Sequence, residues 1–383
     1  MPKGLLAASA VLFVLLTVAC QAFYQLQKAS QMPPALERAQ VLAGADRYEK
    51  RAFFSGAGLG DISDISVGWP ADRESAALVL VGNQGAHFLT AGGSSKKYAG
   101  FSRAGFCPMQ VVRLDQEGNF GFLTRDQSWA SDVVLYDRDG RKLWNYSGFW
   151  GVDDSAAGFL NGADGPVFVV GLNGAGGVRL LNRDGQEIWR QAGANIWHVE
   201  IMDASGNSAG KILHTNARGE LLARNDRGQV TAQYAVGGYV SAFALVRWGM
   251  EAHPTHLLFA PRPVTTHPGN PQFRVLDGNG EPVADFDAPL SDLLRTVSGS
   301  SISFKKGAAT FAALQGDRAK QRALLYLFDE RGQMVYQEIL AEACRGIAAL
   351  PGETGETLLV GCNNKVWEYR STGSASRSRP APK

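Results

Sequence analysis

The chain has 383 residues, of which 45% are hydrophobic and 19% are charged, and its formal net charge is +2. This composition is typical of a globular protein and excludes a predominantly disordered chain. The nearly balanced charge, without a long basic run, argues against a nucleic-acid-binding protein. The 45 glycines follow no Gly-X-Y period, so they indicate many turns rather than collagen.

The N-terminus has the features of a bacterial export signal. Lys3 precedes an apolar run over residues 5–19, and Cys20 follows it. The sequence Leu16-Thr-Val-Ala-Cys20 is similar to a lipobox, with Thr17 where leucine is usual, and it predicts lipidation of Cys20 after cleavage. The alternative is an uncleaved signal anchor that extends to about residue 24, just long enough to span a bilayer. Either form predicts a body that is exported, tethered to a membrane and faces the periplasm.

A linker and a tail flank the body. Residues 21–48 are predicted to form the linker, in which Pro33 and Pro34 precede a short helix over residues 35–43. Residues 372–383 lack large apolar side chains and are predicted to form a disordered tail. The folded body is therefore expected over residues 49–371.

A repeated hairpin organises the body. The sequence LYDRDGRKLW at residues 135–144 returns as LNRDGQEIW at residues 181–189. Asp137 or Asn182 can cap the turn, and the glycine that closes it needs a positive φ, as in a type I turn with a glycine bulge. The closing glycines are Gly140, Gly185, Gly228, Gly280 and Gly332, with spacings of 45, 43, 52 and 52 residues.

Periods of roughly 40–50 residues with about four strands each are typical of propeller blades. We therefore predict an all-β fold, a single β-propeller of four-stranded antiparallel blades, with seven as the preferred number and six or eight as alternatives. The last unit, residues 344–369, shows only three clear strands, and a segment near residues 48–54 is expected to supply the fourth and close the ring. Units ending near Tyr234 and Phe286 keep the turn but lose the aromatic anchor. The aromatic residues expected to anchor the packing between blades are Trp144, Trp189, Tyr336 and Trp367.

The pattern Asp-x-x-Gly-x-x-hydrophobic-Trp resembles the repeat of quinoprotein-type (PQQ-like) β-propellers over most of residues 105–371. Together with the lipobox, it makes the chain similar to the propeller lipoproteins of the outer-membrane protein assembly machinery. That resemblance implies an eight-bladed scaffold that binds partner proteins, whereas the repeats here number seven. A quinone-dependent member would hold its cofactor over a vicinal disulfide and a calcium ion. No two cysteines are adjacent, so we expect no cofactor.

The cysteines and histidines suggest pairings across hairpins. Cys344 and Cys362 lie symmetrically about the loop at residues 351–355, which predicts a disulfide across adjacent strands, with two buried free thiols as the alternative. Cys107 would then be a small buried residue without a partner. His198 and His214 lie symmetrically about residues 204–208. Two facing histidines make an incomplete metal site, so no metal is assigned.

Three other patterns carry no assigned chemistry. His253, His256 and His267 are too widely spaced along an extended segment to share one site, and the long loops around them suit a binding surface. Gly206-Asn-Ser208-Ala-Gly210 matches a nucleophile elbow but lies between two strands rather than before a helix. Asp137 and Asp139 begin like a calcium loop whose later ligands are missing. No catalytic residue is assigned.

Two functional hypotheses follow. The first is a membrane-tethered exported propeller that acts as a non-catalytic interaction scaffold for envelope proteins, with binding on its rims and central channel. The second is a ligand sensor or an enzyme at the channel mouth, for a sugar or a cell-wall fragment. Cys107, Asp154 and His198, expected on inner strands, are the first residues to test for the second hypothesis.

Overall fold

The computed structural model describes residues 40–372. The segments left out of the description are 56–59, 61, 69–76, 83–84, 91–94, 99–108, 116, 118, 126–131, 161–164, 205–208, 249–253, 260–271, 288–295, 305–308, 318–321, 330 and 353–354. Within the described residues, 29 β-strands account for all of the regular secondary structure. That part of the chain contains no helix long and apolar enough to cross a membrane.

The strands form seven antiparallel sheets in the described residues, which we call blades 1 to 7. The two N-terminal strands are β1 (Gln40–Ala43) and β2 (Tyr48–Ser55). Blade 1 contains β3 (Ile62–Gly68), β4 (Ala77–Gly82), β5 (Gly85–Thr90) and β6 (Ser95–Tyr98). Blade 2 contains β7 (Met109–Arg113), β8 (Phe120–Arg125), β9 (Asp132–Asp137) and β10 (Lys142–Ser147). Blade 3 contains β11 (Val152–Gly158), β12 (Val167–Leu172), β13 (Gly177–Leu181) and β14 (Glu187–Gln191).

Blade 4 contains β15 (Ile196–Met202), β16 (Lys211–Asn216), β17 (Leu221–Arg224) and β18 (Val230–Tyr234). Blade 5 contains β19 (Ala244–Val246), β20 (His256–Phe259), β21 (Gln272–Leu276) and β22 (Pro282–Asp287). Blade 6 contains β23 (Thr296–Ser303), β24 (Ala309–Asp317), β25 (Arg322–Phe328) and β26 (Met334–Leu340). Blade 7 contains β27 (Gly346–Gly352), β28 (Gly355–Cys362) and β29 (Lys365–Ser371), and β2 is its fourth strand.

The blades form a closed ring around the first strand of each blade. The inner strands contact one another in order from β19 through β23, β27, β3, β7 and β11 to β15, so that β27 and β3 join the last blade to the first. A hydrophobic cluster joins blade 4 to blade 5. Seven hydrophobic clusters lie between neighbouring blades of the described residues, one at each interface. The second strands are buried on both faces, as in β12, whereas the outer strand β10 is partly exposed along its length. The prediction of a seven-bladed all-β propeller is confirmed.

The N-terminal strand β2 closes the ring. It pairs with β29 along its whole length, from Tyr48 opposite Ser371 to Ser55 opposite Lys365. The prediction that residues near 48–54 supply the missing outer strand is therefore confirmed. Because this strand comes from the other end of the folded chain, the two ends hold each other in place.

The helix predicted over residues 35–43 is wrong for the described residues 40–43. These residues form β1, which pairs with β26 as a fifth strand of blade 6, with Gln40 opposite Ile339. The outer edge of β26 offers backbone partners that override a weak local helix preference. The propeller therefore begins at or before residue 40 rather than at residue 49, while residues 35–39 lie outside the described part.

The repeated turns have one geometry. In each, the first side chain accepts hydrogen bonds from the backbone amides two and four residues later, as Asp137 Oδ1 does from Asp139 and Arg141 at 2.9 and 2.8 Å. The closing glycines all have positive φ, 82° at Gly140, 77° at Gly185, 78° at Gly228, 92° at Gly280 and 75° at Gly332. The same arrangement recurs at Asn216–Gly219 between β16 and β17, a copy that the repeat spacing does not mark. The short polar side chain and the glycine therefore decide where the hairpins turn.

Candidate functional site: the inner strands and one rim

A set of side chains on the inner strands joins each blade to the next through backbone groups. Each side chain bonds a backbone amide 45 to 47 residues later, close to one repeat length. The distances between heavy atoms are 2.7 to 3.1 Å. The pairs are Asp64 with Met109, Ser66 with Val111, Gln110 with Ala157, and Asp154 with Val199. The channel lining of blades 1 to 4 is thus held in register by polar side chains.

Asp154 and His198 form the closest pair of titratable groups on these strands. Asp154 Oδ2 lies 2.6 Å from His198 Nδ1, and it also accepts the amide of Val199 at 3.1 Å. The His198 ring packs edge-on against Phe243 of the next blade, with centroids 4.8 Å apart. Its Nε2 atom lies 3.8 Å from Glu200 Oε1 and has no hydrogen-bond partner among the described residues.

The pKa values of these groups are coupled. Burial and the nearby Asp154 carboxylate raise the pKa of Asp64 to about 6, although two backbone amides stabilise its ionised form. Burial also raises the pKa of Glu200 to about 7, with the carboxylates of Asp154 and Asp64 adding to the effect. For Asp154, burial is outweighed by its attraction to His198, so its pKa is lowered. For His198, burial is outweighed in the same way, so its pKa is raised.

This cluster can hold and exchange protons near neutral pH. A carboxylate on Nδ1 fixes the orientation of an imidazole and leaves Nε2 for a second group, the arrangement used by general acids and bases. The same contacts also serve to join blades 3 and 4. No group of three or more metal-binding side chains occurs in the described part of the chain.

The structure separates the two histidines that the hairpin symmetry placed opposite each other. His198 lies opposite Thr215, and His214 lies opposite Val199. This offset of one residue from the symmetrical register is already present where Met202 lies opposite Lys211, next to the hairpin loop. His214 Nε2 instead accepts a hydrogen bond from Arg224 at 3.0 Å. Burial and that guanidinium lower the pKa of His214 to about 4. The facing-histidine prediction is therefore wrong, since a register offset of one residue puts the two side chains on opposite faces of the sheet.

Other predicted residues have different outcomes. His256 lies on β20 and is buried beside Trp248, with ring centroids 6.0 Å apart. The remaining positions, among them the lipidation candidate, lie outside the described residues: Cys20, Cys107, Ser208, His253 and His267.

The tryptophans of blades 2 and 3 reach into the turn of the following blade. Trp144 Nε1 donates to the backbone oxygen of Arg183 at 3.0 Å, and Trp189 Nε1 donates to that of Asp226 at 2.7 Å. A Cβ added at Gly185 would come within 2.7 Å of the Trp144 ring, so the closing glycine also leaves room for the indole.

Blade 4 has a substitute for the tryptophan. Ala232 stands where Trp144 and Trp189 stand in their blades. Tyr234, two residues further along the same strand, donates to the backbone oxygen of Gly278 at 2.9 Å. The interpretation that this unit lacks an anchor is therefore wrong. Alternate residues of a strand lie on the same face of the sheet. Tyr234 therefore lies on the same face as Ala232, and its long side chain contacts the turn of the next blade as the tryptophans do.

The two aromatic residues near the closure make other contacts. Tyr336 is buried and donates to Glu338 Oε2 at 2.9 Å. Trp367 Nε1 donates to Glu342 Oε1 at 3.3 Å, and Lys50 Nζ lies 4.5 Å from the centroid of its ring system.

Cys344 and Cys362 are joined by a disulfide with an S–S distance of 1.99 Å and a Cα–Cα distance of 4.0 Å. The pairing of β27 with β28 places Gly346 opposite Gly361, one residue away from the symmetrical register. Both cysteines are fully buried.

An exposed aromatic patch lies on one face of the ring, at the loops that follow the second and fourth strands of each blade. We call it the aromatic rim, and it consists of Phe149, Trp150 and Trp197. Their exposed fractions are 93%, 49% and 43%. Trp150 packs on Gly174, whose amide hydrogen lies in reach of Asn195 Oδ1 at an N–O distance of 2.6 Å. Trp197 lies two residues after Asn195, at the start of blade 4.

The loops around the aromatic rim carry almost no charge. Residues 147–151, 173–176, 192–195 and 235–241 include no Asp, Glu, Lys or Arg, and Arg218 is the one charged residue in the loop at 217–219. The opposite face holds the repeated turns, whose sequences DRDGR, NRDGQ, NDRGQ, DGNGE and DERGQ are rich in charge. The loops of blades 3 and 4 around the aromatic rim are thus nearly uncharged, whereas Glu342 and Arg345 lie on the same side of the ring in the loop that follows β26.

Sequence analysis selected Asp154 and His198 but missed Asp64, Glu200 and the aromatic rim. The spacing of 45 residues from Asp64 to Met109, and again from Asp154 to Val199, is a signal that could have found the inner-strand positions. The aromatic rim has no comparable signal, because a Trp in a turn-rich segment is as compatible with burial as with exposure.

No protein-family profile matches the sequence, and no curated protein is significantly similar to it. Solved structures are similar. BBS1N in complex with ARL6DN is 10% identical over 88% of this chain and 98% of that chain, with a TM-score of 0.59. Streptogramin B lyase is 11% identical over 85% of this chain and 98% of that chain, with a TM-score of 0.56.

At these identities the similarity shows the fold alone: the chain is a β-propeller. BamB from Moraxella catarrhalis is also similar, at 10% identity over 86% of this chain and 99% of that chain. Its TM-score of 0.47 is too low to support an argument. A lyase and a protein from a protein complex share this fold, so function must be argued from the residues of this chain.

Proposed function

We propose that this protein is a non-catalytic interaction scaffold of the bacterial envelope, and that its partner protein binds the aromatic rim. The observation that carries the proposal is the exposure of three large aromatic side chains among loops that are nearly uncharged. Exposed apolar patches of this kind are typical of interaction surfaces, and Trp and Phe are favoured at their centres.

The polar inner-strand network suits a scaffold, since it fixes the blades relative to one another. BBS1N, a propeller solved in a complex with ARL6DN, is a precedent for protein binding on this fold and no more than that. A rigid ring would present the aromatic rim without an entropic cost of ordering it on binding.

Photocrosslinking can test the proposed surface. Benzoylphenylalanine placed at Phe149 in the full-length protein in its native cells should give an adduct with an envelope protein. The matched control carries the same probe at Asp184 on the charged face, where the side chain is 73% exposed. We expect at least a tenfold stronger adduct at Phe149, and equal adducts at both positions would contradict the proposal.

We further propose that the body is exported and held at a membrane by its N-terminus. The basic start, the apolar run and Cys20 support this, with an uncleaved anchor as the alternative. Radioactive palmitate should label the wild-type protein and not the Cys20→Ala variant. An anchor would leave both proteins unlabelled but in the membrane fraction, and a protein that is absent from membranes would contradict tethering.

The alternative function is a sensor or an enzyme for a sugar or a cell-wall fragment at the channel. The Asp154–His198 pair favours it, because the carboxylate orients an imidazole on an inner strand, although the Nε2 atom of that imidazole is buried. Calorimetric titration with soluble muropeptides should then show saturable binding that His198→Asn abolishes. Absence of binding by the wild-type protein would remove this alternative.

A further inference from the structure

The N-terminal end of the described chain enters the ring on the face that carries the aromatic rim. Gln40, the first residue of β1, lies opposite Ile339 near the end of β26, and Ala43 lies opposite Gln337. Because β26 is the fourth strand of blade 6, its end lies with the loops that follow fourth strands, as Phe149 does in the loop after β10. The chain that precedes β1 therefore arrives from the side of the aromatic rim.

The C-terminal end of the described chain lies on the opposite face. Gly44, directly after β1, contacts the backbone of Val335 at the start of β26, so β1 runs from the rim side to the side of the repeated turns. The next strand, β2, begins there with Tyr48 opposite Ser371, the last residue of β29. The two ends of the propeller are thus on opposite faces, and the end that leads to the proposed tether is on the rim side.

The proposed tether is short compared with the ring. A lipid on Cys20, or an anchor that ends near residue 24, leaves only 15 to 19 residues before Gln40. A flexible chain of this length has a root-mean-square length of about 20–25 Å, and strands of six residues make the ring about 20 Å thick. If the opposite face were turned to the membrane, the linker would have to extend past the whole ring and lose chain entropy. The tether therefore favours the rim side toward the membrane.

The most exposed part of the aromatic rim is a tight turn on this side. The amide of Gly151 donates to the backbone oxygen of Gly148 at 3.1 Å, so Phe149 and Trp150 occupy the two central positions of a β-turn. Phe149 is 93% exposed, and its ring centroid lies 5.4 Å from that of Trp150. The turn therefore presents an aromatic pair on the face from which the tether enters.

The composition of the surrounding loops favours a protein over a lipid surface as the occupant. Peripheral binding to an anionic bilayer depends on clusters of lysine and arginine. The loops at residues 147–151, 173–176 and 192–195 contain neither. Aromatic side chains in an uncharged surrounding are instead typical of the centre of a protein–protein interface.

We propose that the aromatic rim faces the membrane, and that its occupant is an uncharged juxtamembrane segment of a protein anchored in the same membrane. Two proteins held in one membrane meet at a raised effective concentration, so three aromatic residues of modest intrinsic affinity can hold the partner. This inference rests on the proposed scaffold and on its tethering. It adds the orientation of the ring and the part of the partner that binds.

The first test identifies the adduct formed by benzoylphenylalanine at Phe149 in the full-length protein in its native cells. Membranes are washed with alkaline carbonate, which removes peripheral proteins, and the joined peptides are found by mass spectrometry. We expect an adduct that remains in the membrane and is joined through a segment bordering a membrane-spanning part of the partner. The same probe at Asp184, which is 73% exposed among the repeated turns, should give an adduct at least tenfold weaker.

The second test lifts the ring away from the bilayer. A repeated Glu-Ala-Ala-Ala-Lys insert of about 30 residues after Lys28 forms a semi-rigid helix about 45 Å long, and a Gly/Ser insert of equal length is the matched flexible control. The helical insert should weaken the Phe149 adduct at least tenfold. The flexible insert should weaken it by about fourfold or less, because the ring can still approach the bilayer. Neither should change the thermal midpoint, since the insertion lies before β1.

The outcomes separate this inference from the proposed function. An adduct with a protein that carbonate removes overturns the inference and leaves the scaffold intact. A helical insert that weakens the adduct no more than the flexible insert does also overturns only the inference. An adduct with lipid, an adduct between two copies of this chain, or no adduct at Phe149 contradicts the scaffold as well.

Discussion

The interfaces of blades 2 to 4 and the closure between blades 6 and 7 use one position of the outer strand in two ways. In blades 2 and 3 this position holds Trp144 and Trp189, which reach outward to the turn of the next blade. In blade 6 it holds Tyr336, which is buried and donates to Glu338. The repeated interfaces therefore depend on aromatic packing against a glycine turn, and the closure depends on a buried carboxylate.

The difference follows from what each interface must join. An ordinary interface joins blades that are adjacent in sequence, whereas the closure must also hold an N-terminal strand. Glu338 accepts hydrogen bonds from Tyr336 and from Tyr369 of β29, at 2.9 and 2.7 Å, and Lys50 of β2 lies 2.6 Å from its other oxygen. The side chain of Glu338 thus connects the two outermost strands of blade 7, β2 and β29, with blade 6.

The largest effect is expected for Glu338→Ala. The carboxylate is almost fully buried, so its loss leaves an ammonium and two hydroxyl groups without their partner. Removing one member of a buried charged pair costs about 4 kcal/mol. Urea denaturation should show this loss in the free energy of unfolding, and hydrogen exchange should increase first in β2 and β29. The control is Asp184→Ala, whose side chain is 73% exposed. A cost for Glu338→Ala no greater than for this control would contradict the role of the closure.

The second effect is expected when the disulfide of blade 7 is removed. Cys344 and Cys362 are 18 residues apart in sequence and fully buried. Closing a loop of this length in the unfolded chain contributes about 3 kcal/mol to stability. The double variant Cys344→Ala/Cys362→Ala should therefore unfold at a lower urea concentration than the wild type, by a single transition. As a control, the wild type is treated with a reductant under denaturing conditions. If this treatment does not lower the urea midpoint as much as the double substitution does, the loss of the disulfide is not the cause of the lower midpoint.

The third effect is expected at a repeated interface. Trp144→Ala removes ring packing on Phe168 and Gly185 as well as a hydrogen bond to the next turn. Because the side chain is half-buried, we expect a loss of about 2 kcal/mol, below the range for a fully buried tryptophan. Trp144→Phe should lose about half as much stability as Trp144→Ala, because phenylalanine keeps the ring packing and loses only the hydrogen bond. Thermal denaturation would measure both, and equal losses for the two variants would show that packing contributes little.

The sequence predicts the repeated part of the fold well and the closure only in outline. The turns at Gly140 and Gly185 carry their own signals, a short polar side chain and a glycine that must adopt positive φ, so they can be recognised locally. The role of residues near 48–54 could be inferred from a missing strand. The partners of Glu338 could not, because Lys50 lies 288 residues away and follows no repeat.

The inner-strand site shows the same limit at finer scale. Asp154 and His198 lie 44 residues apart and could be suspected from the repeat length. Whether His198 lies opposite His214 depends on a one-residue offset in the register of β15 with β16, and the symmetry of the sequence pattern does not show that offset. Exposure at Phe149 likewise depends on the packing of whole loops rather than on local sequence.

The last effect is a change of stability with pH. It is expected from titratable groups at the interfaces of blades 1 to 4. The pKa values of Asp64 and Glu200 are raised to about 6 and about 7, so the native state holds protons that the unfolded chain has already released. The pKa of His198 is raised as well, so its contribution is complete below the pKa of a free histidine and is lost as pH rises through the native value. Asp154, whose pKa is lowered, contributes above its unfolded value and adds no slope near neutrality. Because the pKa values of these three groups are raised in the native state, the protein becomes less stable as pH rises from 5 to 8.

Urea midpoints measured at pH 5.5 and pH 8.0 should differ, with the lower midpoint at the higher pH. Glu200→Gln should reduce that difference, because an amide does not ionise at this position, whereas the exposed Glu117→Gln should leave it unchanged. Hydrogen exchange at pH 8.0 should increase first in β11 and β15, where Asp154 and His198 lie, and not in β2 and β29. Faster exchange at the closure instead would mean that Asp64, His198 and Glu200 do not dominate the response to pH.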